Sequence, residues 1–89
     1  MHVEFDKSFS KSLDKLKNKV VQQRLEQIIL EFEESTSIHS IKHIKKLVGF
    51  KTYYRIRIGE YRLGLELRSS DTVRFIIVAV RKNIYNRFP

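Results

Sequence analysis

Arg55, Arg57 and Arg62 lie close together in the segment KTYYRIRIGEYRLGLEL (51–67), and Arg81 and Tyr85 follow one further apolar stretch. A guanidinium is a planar fork whose donors match phosphate oxygens in pairs, and it stays charged at neutral pH. Several of them together can hold a phosphodiester and stabilise the extra charge of a pentacoordinate phosphoryl transition state. A ribose 2′-OH could then be the nucleophile, which would restrict the substrate to RNA. Proton transfer is harder to assign, because arginine is a poor general base. Tyr85 and Glu66 are the candidates for acid or base, and Tyr85 could equally stack a nucleobase. Lysines 42, 45, 46 and 51 are placed to guide an anionic strand, with Lys46 and Lys51 the expected phosphate contacts.

Other chemistries find no residues. There is no Cys, hence no thiolate nucleophile, disulfide or thiolate metal site, which fits a reducing cytoplasm. No Gly-rich phosphate loop and no Ser/His/Asp set in context is present. His39 and His43 are four apart, as a metal pair on a helix would be, but no Asp, Glu or Cys nearby completes a ligand set, and both read as surface residues. No metal and no cofactor is expected. The N-terminus MHVEFDKSF lacks a basic-then-apolar signal pattern, and no apolar run approaches about 18 residues, so neither secretion nor a membrane span is expected. The net charge is +8, and residues 51–89 hold nine of the 18 Lys/Arg against three of the 10 Asp/Glu. Seven of those nine are Arg, which points to nucleic acid, a membrane surface or an acidic protein partner.

The elements that position these groups can be read from periodicity. Gly59-Glu60 between Ile58 and Tyr61 is the signature of a two-residue type II′ hairpin loop. It sets Arg57 opposite Arg62 and Arg55 opposite Gly64, with Tyr54, Ile56, Ile58, Tyr61, Leu63, Leu65 and Leu67 on the other face. Like charges directly across a strand pair cost up to about 1 kcal/mol, an arrangement that makes sense if an anion sits there. Gly64 leaves room for close approach to the sheet. The alternative is that the arginines solvate an exposed face and pair with carboxylates from elsewhere.

Met1–Phe5 alternates and reads as a strand. Phe9, Leu13 and Leu16 predict a helix over 7–17, and Asn18 interrupts before Val21, Leu25, Ile28 and Phe32 mark a second helix to Glu34. Ile38–Phe50 reads as a basic connector tacked down by Ile38, Ile41, Ile44 and Leu47. Thr72–Val80 is apolar on both phases apart from Arg74, as a strand covered on both faces would be. Residues 81–89 read as a polar, basic tail. The expectation is one α+β domain over 1–89, ordered β-α-α-β-β-β. A helical hairpin would cover one face of a mostly antiparallel sheet and leave the arginine face open.

GFKTYYRIRIGEYRLGLEL (49–67) followed by VRFIIVAVRKNIYNRFP (73–89) resembles the RelE/ParE superfamily of bacterial toxin–antitoxin toxins. The likeness covers essentially the whole chain, through a "yRiRiGdYR" hairpin and an "hRkdIY" C-terminal signature. It implies a RelE-like fold and a cytoplasmic toxin that cuts mRNA on the ribosome without metal, by 2′-OH attack. It also implies a small acidic antitoxin that wraps the toxin in a hetero-oligomer. ParE-like members inhibit DNA gyrase instead, and a catalytically weakened toxin-like binding protein is a further alternative. By position, Arg62 matches the arginine that contacts the scissile phosphate, and Arg81 the one after the last strand. Tyr85 matches the C-terminal tyrosine, and Arg55 and Arg57 match the two basic positions before the turn. The sequence departs from the signature in two places. Val80 stands where His often precedes the arginine, and arginines replace the lysines common at the paired positions.

Overall fold

In the computed structural model, which describes residues 1–89, strand β1 (His2–Phe5) turns at Asp6 into helix α1 (Lys7–Lys15). Asp6 is the N-cap: its Oδ2 accepts from the Ser8 amide at 3.1 Å, one of the donors a helix start leaves unpaired. Asn18 does the same for α2 (Lys19–Glu34), its Oδ1 accepting from the Val21 amide at 3.1 Å. The first helix therefore stops at Lys15, short of the expected Lys17, and Asn18 starts the second helix as well as separating the two.

A 3₁₀ turn (Ile38–Ser40) leads to strand β2 (Ile44–Lys46), followed by β3 (Tyr53–Ile58), β4 (Tyr61–Ser69), β5 (Thr72–Val80) and the short helix α3 (Arg81–Ile84). The sheet order is β1-β5-β4-β3-β2, with β1 parallel to β5 and every other pair antiparallel. The α+β plan holds, with β2 as an extra edge strand inside what reads as a connector. Three residues are too few to show alternation in sequence, and the spacing of Ile38, Ile41 and Ile44 resembles a helical turn. Lysines on so short an edge discourage further strand pairing.

The hairpin has the expected register, Arg57 opposite Arg62 and Arg55 opposite Gly64. Gly59 has φ of +57° and Glu60 does not share the left-handed conformation, as a type II′ turn requires. On the inner face Ile56, Leu63, Leu65 and Phe75 are fully buried against Ile28 and Phe32 of α2 and Phe9 of α1. Each such side chain contributes roughly 1.5–3 kcal/mol by leaving water.

Two features of the outer face differ from the expectation. Between Gly64 and Leu65 the β4–β5 register slips by one, because β5 carries the additional residue Ile76. The bulge keeps Phe75 and Val78 on the inner side and turns Ile77 and Ala79 outward. Helix α1 satisfies its backbone: Ser8 Oγ bonds the Ile76 carbonyl, and Ser12 Oγ accepts from the Val78 amide at 3.1 Å. The outer face is also not fully open. Ile84 and Phe88, 2% and 7% exposed, fold back onto Ile77 and Ala79 as a second small core. The room at Gly64 is taken by this chain's own Phe88, whose ring carbons lie 2.7–2.9 Å from where a Cβ would stand. Residues 81–89 read as a polar tail because two isolated apolar residues carry no period.

Candidate nucleic-acid interface

The folded-back tail leaves the turn end of the outer face uncovered, and there the basic residues meet. A cleft of about 390 Å³ is lined by Arg55 and Arg57 from β3, Arg62 from β4, Arg81 and Tyr85 from the α3 region, and His43 and Lys45 from the β2 edge. Main-chain bonds bring the elements together: the Arg81 amide donates to Glu60 O at 2.8 Å, tying α3 to the hairpin turn.

Arg62 is the buried member, 9% exposed. Its Nη1 donates to the carbonyls of Gly59 and Tyr61, both at 2.8 Å, so one nitrogen anchors the side chain to the turn. Nε and Nη2 have no protein partner and are not sealed from solvent, which aims half of the fork outward. Burial first, then the charges of Arg57, Arg81 and Arg55, push the Arg62 pKa below the ordinary arginine value. Guanidinium does not deprotonate in proteins, so the cost is borne as repulsion that a bound anion would relieve.

None of the cleft cations forms a salt bridge. The reading in which carboxylates pair these arginines is therefore excluded. Tyr85, 59% exposed, stands at the mouth: its hydroxyl accepts from Arg55 Nη1 at 3.4 Å, and the Arg55 Cζ lies 5.7 Å from the ring centroid. Hydrogen bonding from Arg81 and Arg55, with their charges, lowers the Tyr85 phenol below its usual value. A phenol so placed is a better proton donor.

Three sequence candidates fall outside the cleft. Lys46 is opposite Tyr54, on the inner phase of β2, and borders a neighbouring, more apolar hollow with Phe50 and Phe88. It is Lys45, opposite Arg55, that reaches the arginines. Lys51 sits in the loop before β3, and Glu66 lies beyond Phe88, bonded to Arg68 at 3.2 Å. His43, with no ligand set around it in the sequence, lines the cleft instead. It extends β2 by one position, its carbonyl accepting from the Arg57 amide at 3.4 Å. A strand register for 43–45 would have signalled it, had β2 been long enough to recognise.

A five-stranded sheet backed by two helices, with an acid-free arginine cleft at the hairpin turn, defines a small α+β protein with a concentrated positive site. No family model matches the chain. It is 42% identical to Toxin RelE3 of Methanocaldococcus jannaschii over 90 residues spanning the whole of both. It superposes on the RelB–RelE antitoxin–toxin complex from Methanococcus jannaschii with a TM-score of 0.80 and 40% identity, over 97% of this chain and 99% of that one. On the intact E. coli RelBE toxin–antitoxin complex the TM-score is 0.67 and the identity 27%, over 89% and 94%. The chain belongs to the RelE family of toxins, the translation-inhibiting mRNA endoribonucleases of type II toxin–antitoxin systems.

Proposed function

We propose that this chain cleaves mRNA on the ribosome by in-line attack of a ribose 2′-OH on the adjacent phosphodiester, and so stops translation. The observation that carries the reading is the convergence of Arg55, Arg57, Arg62 and Arg81 with Tyr85 in one cleft that no carboxylate neutralises. Arg62, held by its turn carbonyls, and Arg81 grip the non-bridging phosphate oxygens, whose charge grows in the transition state. Arg55 and Arg57 bind the flanking strand with Lys45. Tyr85, its phenol made more acidic by Arg81 and Arg55, gives its proton to the departing 5′ oxygen. The partner that restrains the toxin is a small acidic antitoxin bound in a hetero-oligomer. The net charge of +8 and the toxin–antitoxin complexes among the relatives support this.

Induced expression tests the proposal. Protein synthesis should stop before DNA synthesis, and mRNA recovered from ribosomes should carry new 5′-hydroxyl ends. Arg62→Ala and Tyr85→Phe should each relieve the arrest. DNA synthesis failing first, or full toxicity in both variants, would replace this reading with gyrase inhibition or simple binding.

A further inference from the structure

The cleft holds four guanidiniums, one ammonium and one phenol, and its remaining lining residue is His43. Imidazole is the only one of these groups that ordinarily changes charge between about pH 5 and 8. The other side chains can bind an anion or donate a proton, but at neutral pH none of them readily accepts one. Val80, beside Arg81, has no titratable group.

His43 lines the cleft from the β2 edge, beside the arginines. Its main chain continues β2 opposite Arg57, and Ile44, the next residue, packs against the core opposite Ile56. It is the one non-glycine residue with positive φ, +62°, a conformation that costs roughly 1–2 kcal/mol for a residue with a Cβ. Such departures collect at functional sites. The charged groups that face His43 are Arg57, Lys45 and the other cleft cations on one side, and Arg24 of α2 and Glu60 of the turn on the other.

We infer that His43 is the general base of the cleavage, an inference that rests on the proposed ribonuclease reading. The neutral imidazole takes the proton of the 2′-hydroxyl as the 2′ oxygen bonds to phosphorus. The bond from phosphorus to the 5′ oxygen breaks, and Tyr85 protonates that oxygen. The products are a 2′,3′-cyclic phosphate and a 5′-hydroxyl. The proton on His43 then passes to solvent, and Tyr85 regains one.

The test is single-turnover cleavage of ribosome-bound mRNA from pH 5 to 8, with binding measured separately on an RNA carrying 2′-deoxyribose at the cleavage position. His43→Asn keeps a residue that tolerates the left-handed backbone, and His43→Arg keeps a cation. Both should lose about 10²-fold or more in cleavage. Both should bind the deoxy analogue within about threefold of the parent and lose the rise of rate with pH. Cleavage by His43→Asn at the parent rate with the same pH profile overturns the assignment and leaves the ribonuclease reading intact. Rescue by His43→Arg, or parallel losses of binding and cleavage, also overturns it, since His43 would then only hold phosphate. A parent chain that binds ribosomal mRNA without cutting it removes the ribonuclease reading, and this inference with it.

Discussion

Arg74 and Arg62 occupy the same outer face of one sheet and have opposite surroundings. Arg74, across from Glu66 on β4 and Glu4 on β1, donates to Asp6 Oδ1 through Nε and Nη2 at 3.1 and 3.0 Å, and its Nη1 lies 3.5 Å from Glu4. Arg62, at the other end, is bonded only to carbonyls and has three more arginines around it. Between the two ends lies the apolar plug of Phe88 on Gly64. The same residue type is thus used twice, once to join strand, helix start and sheet, and once to hold positive charge in readiness. What decides between the uses is the placement of carboxylates. Exposed ion pairs of the first kind stabilise by about 0–1 kcal/mol at most, whereas in the cluster the bonds of Arg62 to the turn carbonyls are offset by repulsion among the guanidiniums, which a bound anion would relieve.

The comparison can be broken most directly by exchanging its members. Arg62→Ala should reduce cleavage by about 10²–10³-fold, the loss expected for one preorganised donor to a developing oxyanion. Arg74→Gln should leave cleavage unchanged in the same assay. Equal losses would mean that the two ends do not differ in function. A smaller effect is expected at the boundary. Gly64→Ala places a methyl against the base of the Phe88 ring, and should destabilise the fold by about 1–3 kcal/mol in urea denaturation. Because α3 and Tyr85 move with the displaced tail, cleavage should fall as well.

Arg57→Gln separates the costs within the cluster. Removing a like charge opposite Arg62 should raise stability by a few tenths of a kcal/mol. The same change should lower the salt dependence of RNA binding by about 0.7 in log–log slope, read by fluorescence anisotropy against KCl. The paired end is most sensitive to acid. Hydrogen bonds from Ser8, first its hydroxyl and then its amide, and then from Arg74 lower the Asp6 carboxyl from 3.8 to about 2. A carboxyl depressed in the folded state contributes stability above pH 3.8 that is lost as the pH falls through about 2. Thermal melts of Asp6→Asn should lie below the parent near neutrality and converge with it toward pH 2.

Much of the machinery was legible in the one-dimensional pattern. Gly59 in the turn and the alternation on either side of it are enough to place Arg57 against Arg62, because a two-residue turn leaves a single register. The two helices were legible for a similar reason, each repeating its apolar face over enough residues to show a period. The α+β order followed, and Arg81 and Tyr85 stand out both by residue type and by their match to the family signature. What escaped was the set of features that rest on one or two residues. Strand β2 is too short to alternate visibly, so nothing in the sequence distinguishes Lys45, which faces the cleft, from Lys46, or marks His43 as its neighbour there. Glu66 shares the arginine phase of β4 but stands four residues along the strand from Arg62, and Phe88 covers Gly64 between them.

The sequence by itself determined the hairpin register, the two helical faces and the concentration of arginine in the second half, because each is a local or periodic property that neighbouring residues enforce. Only the tertiary structure decided that Phe88 would return to fill the space over Gly64, and that the Asp6 carboxylate would go to Arg74 and none to Arg62. It also decided that His43 would stand among the arginines. Each of these joins residues distant in the chain through one contact, and a single contact without periodicity leaves no trace until the chain is folded.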